Sequence, residues 1–327
     1  FKGDDLLLTV SRTAEKLALK TENARLKSEL AALRGMDDVV GNSPLVKAAV
    51  AELLKAAASD ISVLLRGASG TGKTLLARLL HKHSTRSRGP YIEANCASFP
   101  ENLLENELFG HEKEAFTGAQ GTVKGKVELA HGGTLFLDEI ADMSLSLQAK
   151  LLKVIEDRKF YRIGGEKPVS VDVRFIFATN ADIEEKVAAG TFRKDLYYRT
   201  NVFIINLPPL SRHMDDLPLL VEHIIRKMGA KKSVSPEVMR LMSNYDWPGN
   251  VRELENVIQS AVVRCDGAKI LRSHLPDYID WEHERAQAPQ DGMKLDDATE
   301  RMVRDALAQS GGNKSRAAAI LLSLIHI

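Results

Sequence analysis

Cysteine is scarce in this sequence: its 327 residues include two, Cys96 and Cys265. Two cysteines exclude the disulfide framework that small secreted domains use, and their scarcity is typical of a reducing compartment. The sequence also lacks any apolar run long enough to span a bilayer. We therefore expect a cytoplasmic protein with no membrane partner.

An excess of either charge is also missing, because 45 Lys and Arg residues balance 44 Asp and Glu residues for a net charge of +1. Such a balance gives no overall attraction to nucleic acid, so any contact with DNA must come from a local module. With 44% apolar and 27% charged residues, the composition is that of an ordinary globular protein. The length allows at least one large core and predicts two or three modules.

The first segment is predicted to be one long helix. Residues 4–33 contain no Gly or Pro, and a stripe recurs at spacings of four and three with one polar member: Leu19, Asn23, Leu26, Leu30 and Leu33. This pattern fits a short parallel coiled coil, and it fits equally well a single amphipathic helix packed on the next domain.

From residue 36 to 210, short β-rich runs alternate with helical ones, a pattern typical of a parallel α/β sheet with helices on both faces. The candidate strands are residues 61–65, 91–94, 134–137, 171–178 and 202–206. After Pro208 and Pro209 the pattern becomes helical, which indicates a small all-α domain. The predicted divisions are residues 1–35, 36–210 and 211–282, a linker at 283–295 and a last segment at 296–327.

A glycine-rich loop follows the first of these strands. Residues 67–74 read G-A-S-G-T-G-K-T and fill every fixed position of G-x-x-x-x-G-K-[ST], the phosphate-binding loop of nucleoside triphosphatases. Backbone N–H groups of such a loop close around phosphate oxygens at a helix N-terminus. Lys73 is expected to reach the β- and γ-phosphates, and Thr74 to hold Mg²⁺. The candidate nucleotide-binding residues are Gly67, Ala68, Ser69, Gly70, Thr71, Gly72, Lys73 and Thr74.

Two adjacent carboxylates end a later strand. Asp138 and Glu139 follow the apolar run T-L-F-L, where a P-loop enzyme needs one acid to orient Mg²⁺ and another to activate the attacking water. We assign Asp138 to the metal ion and Glu139 to the water. Asn180 follows the next candidate strand, where its side chain either positions the water, senses the γ-phosphate or only closes a turn.

Three arginines are candidates for contact with phosphate charge. Arg193 and Arg199 lie six residues apart, and guanidinium groups stabilise phosphoryl transfer, often from a neighbouring subunit. Surface salt bridges are the competing interpretation for both. Arg252 lies in W-P-G-N-V-R-E-L, where we expect Asn250 to be the N-cap of a helix. A cation in a first helical turn opposes the helix dipole, which suggests an external anion as its partner.

These motifs, in this order, resemble the AAA+ domain of bacterial enhancer-binding proteins of the nitrogen-regulation type, which activate sigma-54 RNA polymerase. The most diagnostic stretch is residues 107–119, E-L-F-G-H-E-K-E-A-F-T-G-A, which is similar to the family's sigma-contacting surface loop. The resemblance covers roughly residues 37–280. It implies sigma-factor contacts at Glu114, Ala115, Phe116, Thr117, Gly118 and Ala119.

The same resemblance implies a homo-oligomer, from a dimer to a hexameric or heptameric ring, with ATP at the subunit interfaces. Arg193 and Arg199 would then act on the site of a neighbour, and Arg252 would be a second sensor. Asn95 would couple Glu139 to the nucleotide state. Further implied features are the nucleotide contacts Val40 and Gly41 and a companion hairpin loop at residues 157–170.

The sequence departs from the family pattern at two internal positions and near its C-terminal end. Glu114 replaces the first glycine of the loop, which adds a Cβ and a negative charge at a flexible position. Thr74 replaces a glutamate that is common in this family and agrees with the general phosphate loop. Residues 1–8 resemble the end of a receiver domain, and residues 310–318 resemble the start of a Fis-type helix-turn-helix that fails after Ala319. We therefore expect that this chain does not read an enhancer sequence by itself.

The first functional hypothesis is an ATPase that remodels the sigma-54 RNA polymerase holoenzyme, with enhancer DNA and a cognate sensor kinase as partners of the full-length protein. The alternative is a DNA-binding response regulator whose slow ATPase is uncoupled from sigma-54 by Glu114. A AAA+ unfoldase acting on other proteins is disfavoured, because the loop is of the sigma-contacting type. ATP and Mg²⁺ are the expected cofactors.

Overall fold

The computed structural model describes residues 40–116, 119 and 121–279. Outside them lie the predicted helix at residues 4–33, the linker at 283–295, the helix-turn-helix segment at 296–327, and Thr117 and Gly118 of the loop. The chain divides into two compact units, residues 1–276 and 277–327, and the elements below belong to the first. This division does not test the boundaries predicted within residues 36–282, which stay predictions.

The strands, in chain order, are β1 (Val63–Arg66), β2 (Tyr91–Asn95), β3 (Gly110–His111), β4 (Val123–Lys124), β5 (Thr134–Asp138), β6 (Lys159–Tyr161), β7 (Pro168–Ser170), β8 (Arg174–Thr179), β9 (Phe203–Asn206), β10 (Ser233–Val234) and β11 (Lys269–Ile270). The helices are α1 (Pro44–Ala57), α2 (Lys73–Lys82), α3 (Glu101–Phe109), α4 (Lys126–Leu129), α5 (Leu145–Asp157), α6 (Ile183–Ala188), α7 (Lys194–Thr200), α8 (Leu217–Lys227), α9 (Pro236–Ser243) and α10 (Asn250–Arg264). None of these described helices is long and apolar enough to cross a membrane.

A five-stranded parallel sheet has the order β2-β5-β8-β1-β9. Its strands overlap all five runs predicted from the sequence, although β1 and β8 begin at residues 63 and 174 instead of 61 and 171. Within the sheet, Val63 of β1 lies beside Ile176 of β8 on one side and Phe203 of β9 on the other. Because parallel strands end at the same edge of a sheet, the polar residues that follow β1, β5 and β8 come together there.

Successive residues of the strands face two different cores, as expected for a sheet covered on both faces. Leu64 and Leu135 belong to one core, which apolar residues of α3, α5, α6 and α7 complete. Val63 and Phe136 belong to the other core, which α1 and α2 complete. The predicted parallel sheet with helices on both faces is therefore confirmed.

Helices α8, α9 and α10 form a smaller subdomain after the sheet. Trp247 is 1% exposed, and its indole Nε1–H donates to Met242 O at 2.8 Å, which fixes the turn ahead of α10. The subdomain also contains a two-residue parallel ladder between β10 and β11. The prediction of a purely helical domain missed this ladder, because two residues carry no detectable periodicity.

Two antiparallel hairpins, β3–β4 and β6–β7, interrupt the alternation of strands and helices. The second is the hairpin predicted at residues 157–170. A parallel bridge joins them: Glu112 N–H donates to Ile163 O at 3.0 Å, and Ile163 N–H donates to Gly110 O at 3.0 Å. The two hairpins are thus held side by side through their backbones.

Both cysteines are buried. Burial, together with the nearby charge of Asp138, raises the pKa of the Cys96 thiol to about 12. The Cys265 Sγ lies 3.2 Å from Lys269 O, within reach for hydrogen bonding. Neither thiol is therefore presented to solvent in the native fold.

Candidate functional site

The phosphate loop, residues 67–74, connects the end of β1 to the start of α2. Gly70 and Gly72 have φ angles of +79° and +96°, in the left-handed region that favours glycine. Gly67 N–H donates to Thr179 O at 3.3 Å, which ties the start of the loop to the end of β8. Gly70 and Gly72 are therefore required by the turn itself, and α2 begins at Lys73, within the motif.

Lys73 places a positive charge at the base of this loop. Its side chain is 6% exposed, and Nζ donates to the carbonyl oxygens of Gly67 at 2.9 Å and Ala68 at 3.3 Å. The same nitrogen lies 3.5 Å from Glu139 Oε1. A buried ammonium held at the mouth of a phosphate loop is poised to contact phosphate oxygens.

Asp138 and Glu139 lie at the end of β5, opposite Lys73. Glu139 has a φ of +51°, and its Oε2 accepts a hydrogen bond from Asn180 N–H at 3.0 Å. Asp138 Oδ1 accepts from Glu139 N–H at 3.0 Å. Burial, and then the adjacent charge of Glu139, raise the pKa of Asp138 above its usual value.

The donor set at this edge fits a hard divalent cation. The Thr74 hydroxyl and the Asp138 carboxylate line the same cleft, and both are oxygen ligands of the kind that Mg²⁺ prefers. Two carboxylates packed together at the end of one strand repel each other, and a cation beside them would offset that repulsion. These residues therefore fit the Mg²⁺ site predicted from the sequence.

Asn95 ends β2 directly beside Asp138 in the sheet register. Its Oδ1 accepts a hydrogen bond from Ala97 N–H at 2.9 Å, whereas the oxygens of Glu139 contact Asn180 and Lys73. Asn95 nevertheless faces the same cleft as Glu139. Its coupling to Glu139 stays a prediction.

A cleft of about 530 Å³ brings most of the predicted nucleotide-binding residues together. Its lining includes Ser69, Gly70, Gly72, Lys73, Thr74, Asn95, Asp138, Glu139 and Arg252. Arg252 reaches the loop from α10, where its guanidinium donates to Ser69 Oγ at 3.0 Å. Asn180 is outside this lining and contacts Glu139 through its backbone N–H rather than through the predicted side chain.

A smaller, mostly apolar cavity of about 90 Å³ also borders the loop. Its lining includes Val40, Thr71, Gly72, Leu75, Leu207, Leu220 and Val251. Gly41 lies next to Val40, where a Cβ would come within 2.9 Å of Val46 Cγ1 and 3.1 Å of Asp216 Oδ2. An apolar cavity beside a phosphate loop suits the flat base of a nucleotide.

Arg193 and Arg199 lie away from the cleft of their own chain. Arg193 Nε and NH2 donate to the two carboxylate oxygens of Asp195 at 3.0 and 2.7 Å, and Arg199 Nε donates to Glu156 at 3.1 Å. Their side chains are 40% and 60% exposed. Both arginines therefore lie at the surface. This position is compatible with a surface salt bridge and with contact to the site of a neighbouring subunit.

The residues predicted to contact the sigma factor lie between β3 and β4 in the chain. Glu114 has a φ of +69°, the left-handed conformation for which the family glycine is suited, and its N–H donates to Ala119 O at 3.0 Å. A Cβ on Gly164 would lie 2.8 Å from that of Ala115, so the companion hairpin packs directly against this loop. Phe116 is 47% exposed.

An arginine of the companion hairpin connects that loop to α4. Arg162 NH1 donates to Glu112 Oε1 at 2.5 Å, and Arg162 Nε donates to Glu128 Oε2 at 3.0 Å. The Arg162 and Glu128 side chains are 17% and 13% exposed. Ion pairs with this limited solvent access keep the two hairpins and α4 in one arrangement.

The N-cap predicted at Asn250 is wrong. Gly249 is the N-cap of α10, and Asn250 is the first helical residue, with a φ of +52° and 3% exposure. Its side chain instead donates to Ser69 O at 2.9 Å and accepts from Leu210 N–H at 2.8 Å. The prediction failed because these partners are distant in sequence, and a buried role for Asn leaves no local signal.

Comparisons with known proteins show what this chain resembles. Residues 39–206 match the family described as Sigma-54 interaction domain, and residues 211–292 match the AAA+ ATPase lid domain. The chain is 42% identical to Regulatory protein AtoC of Escherichia coli (strain K12), covering 98% of this chain and 72% of AtoC. It is 44% identical to Transcriptional regulatory protein ZraR of Salmonella typhimurium, covering 94% and 71% of the two chains.

The chain is also 47% identical to the Nif-specific regulatory protein of Herbaspirillum seropedicae, over 83% of its own length and 51% of that protein. It therefore spans about half the length of this relative. Among solved structures, NtrX from Brucella abortus is 32% identical with a TM-score of 0.73, covering 98% of this chain and 72% of NtrX. NtrX solved in complex with ATP is 33% identical with a TM-score of 0.70, covering 98% and 73%.

Proposed function

This chain belongs to the family that carries the Sigma-54 interaction domain, and from that premise we propose that it is an ATP-hydrolysing transcription activator that remodels sigma-54 RNA polymerase. The observation that carries the proposal is the meeting of Lys73, Asp138 and Glu139 in one cleft beside the phosphate loop. A site of this composition performs phosphoryl transfer to water. The relatives named above are a Nif-specific and a transcriptional regulatory protein, which supports the proposed role in transcription activation.

The phosphate loop binds the triphosphate, and Lys73 shifts from loop carbonyls to the β- and γ-phosphate oxygens. Thr74 and Asp138 are the residues that would hold Mg²⁺, whose charge offsets that of the phosphates. Glu139 orients the attacking water and accepts its proton, while the N–H of Asn180 fixes the carboxylate.

The proposed assembly is a ring of identical subunits, hexameric or heptameric, with each ATP at an interface. Arg193 and Arg199 then stabilise the transferring phosphoryl group in the neighbouring subunit, which accounts for their exposure away from their own cleft. Arg252 acts as the second sensor, because it extends from α10 into the cleft and contacts Ser69.

Hydrolysis is proposed to move the loop at residues 114–119, with Phe116 exposed for contact with the sigma factor. In the full-length protein we propose a cytoplasmic two-component system, in which a sensor kinase controls assembly and enhancer DNA positions the ring. The alternative, a response regulator whose slow ATPase is uncoupled from sigma-54, depends on Glu114, and Glu114→Gly distinguishes the two.

Glu139→Gln tests the proposal, because it keeps the shape of the side chain and removes the proton acceptor. We expect nucleotide affinity near that of the wild type and hydrolysis slower by about 10²-fold or more. Glu185→Gln, at an exposed position on α6, is the matched control and should hydrolyse ATP normally. Substantial hydrolysis by Glu139→Gln would remove Glu139 from this role.

A further inference from the structure

Asn250 connects three segments through one buried amide. Its Nδ2 donates to Ser69 O at 2.9 Å, in the phosphate loop, and lies 3.4 Å from Pro248 O. Its Oδ1 accepts from Leu210 N–H at 2.8 Å, where the chain leaves the sheet for the helical subdomain. Asn250 is 3% exposed; its hydrogen bond with Leu210 is buried, and its bond to Ser69 is partly buried.

The residues on either side of Asn250 also contact the phosphate loop. Arg252 N–H donates to Gly70 O at 3.3 Å, and Arg252 NH1 donates to Ser69 Oγ at 3.0 Å. Gly70 also lies so close to Gly249 that a Cβ on Gly70 would be 2.1 Å from the Gly249 carbonyl oxygen. Residues 249–252 and the Ser69–Gly70 peptide thus form one packed contact between α10 and the phosphate loop.

This position requires an amide. The site presents an N–H to one end of the side chain and carbonyl oxygens to the other, so it needs an acceptor and a donor at fixed places. The backbone φ of +52° adds a second requirement, since Asn tolerates the left-handed region better than most residues. A carboxylate would face the Ser69 carbonyl without a hydrogen to donate, and an apolar side chain would leave both partners unsatisfied.

We propose that Asn250 is a positioning residue for the nucleotide. It holds the Ser69–Gly70 peptide against α10, so that the phosphate-binding N–H groups and the Arg252 guanidinium keep one arrangement. The inference rests on the proposed ATPase function, and it adds a residue that acts through the loop and through Arg252 rather than on the phosphates themselves. Loss of the contact weakens nucleotide binding more than it slows the chemical step.

Two variants separate the contacts. Asn250→Asp keeps an acceptor for Leu210 N–H but loses the donor to Ser69 O, and Asn250→Gly suits the backbone and loses both bonds. Asn244→Asp makes the same chemical change at an exposed position that ends α9, and it is the matched control. Circular dichroism checks that each variant is folded before binding is measured.

The readouts are the Kd of a fluorescent ATP analogue and the KM and kcat of ATP hydrolysis. We expect Kd and KM to rise roughly tenfold for both Asn250 variants, with kcat changed about threefold or less and Asn244→Asp unchanged. A rise confined to Asn250→Asp would assign the effect to its negative charge and overturn the proposal. An unchanged Kd in folded variants would show a purely structural role and overturn it as well.

A double-mutant cycle with Arg252→Ala tests whether Asn250 acts on nucleotide binding through Arg252. If Asn250 works by placing the loop and Arg252 together, the double variant loses less affinity than the product of the two single losses. Multiplicative losses would contradict this coupling. The outcomes also separate the two proposals: wild-type protein that fails to bind or hydrolyse ATP defeats the proposed function, whereas normal wild-type activity with unaffected Asn250 variants defeats only this inference.

Discussion

Gly70 of the phosphate loop lies directly against the carbonyl of Gly249, in the turn that precedes α10. A Cβ on Gly70 would lie 2.1 Å from that oxygen and 3.0 Å from Arg252 Cβ. The nucleotide loop and the helical subdomain therefore meet at two glycines, with no space for a side chain between them. The glycine of the motif serves this contact as well as the turn.

Gly70→Ala is expected to destabilise the protein more than Gly72→Ala in the absence of nucleotide. Both positions have positive φ, but a Cβ on Gly72 meets no atom within 4 Å. The shared backbone strain costs about 1–2 kcal/mol, and the clash at Gly70 adds roughly 1–3 kcal/mol. Chemical denaturation of both variants measures the difference. Equal free energies of unfolding would mean that the helical subdomain moves away from the loop without cost.

Arg193→Ala is expected to slow ATP hydrolysis by about 10³-fold or more while leaving the affinity for nucleotide unchanged. Mixing it with Lys73→Ala should restore part of the activity, because the second variant supplies Arg193 to the intact phosphate loop of the first. The measurement is the ATPase rate across mixing ratios, with Arg212→Ala as the control for loss of an exposed arginine. Activity that never exceeds the sum of the separate variants would argue against action in trans.

Glu114→Gly is expected to increase open-complex formation on a sigma-54 promoter. Glu114 has a φ of +69°, and glycine relieves this strain by about 1 kcal/mol. Glu114→Ala keeps the strained Cβ but removes the charge, so it separates the two causes. We expect glycine to exceed alanine, with the ATPase rates of both variants equal to wild type. Identical open-complex yields from all three proteins would mean that Glu114 does not limit the output.

His81 is expected to make stability fall as pH drops from about 6.5 to 4. Burial, and then the charge of Arg174, lower its pKa from 6.5 to about 4, and its Nδ1 is 2.9 Å from Thr134 Oγ1. Above pH 6.5 both folded and unfolded chains hold neutral His81. Between pH 6.5 and 4 the unfolded chain binds a proton at His81, whereas His81 of the folded chain stays largely neutral. This difference lowers the free energy of unfolding by roughly 2–3 kcal/mol at pH 4.

Denaturation between pH 7 and 4 measures this slope for the wild type, for His81→Leu and for His83→Leu, an exposed histidine at the C-cap of α2. The first variant should flatten the profile, and the second should leave it as in the wild type. A slope that survives in His81→Leu would assign the pH dependence to carboxylates instead.

The part of the site that the sequence predicted is local in the chain. The phosphate loop with Lys73 is one contiguous motif, and Asp138 and Glu139 end a run whose apolar pattern identifies a buried strand. Parallel topology then places both at one edge of the sheet, whereas the strand order, with β8 between β1 and β5, was not predicted. The five strands were recognisable for the same reason, since each is a short apolar run with turn residues at its end.

The contacts that the sequence did not predict join distant segments. Glu139 is held by the backbone N–H of Asn180, 41 residues away, and backbone groups have no sequence signature. Asn250 meets Ser69 across a separation of 181 residues, so a local rule could only suggest a helix cap. The trans action of Arg193 and Arg199 needs a second subunit and remains a prediction of the resemblance.

The burial of the two cysteines has a practical consequence for following the loop in solution. Thiol-directed probes react with exposed thiolates, and the raised pKa of Cys96 and the burial of Cys265 make both native groups slow to react. A cysteine introduced at Glu114, whose side chain is 80% exposed, would be labelled selectively without removing either native residue. A fluorophore at that point would then report, in the unmodified fold, whether turnover in the cleft displaces the tip of the loop.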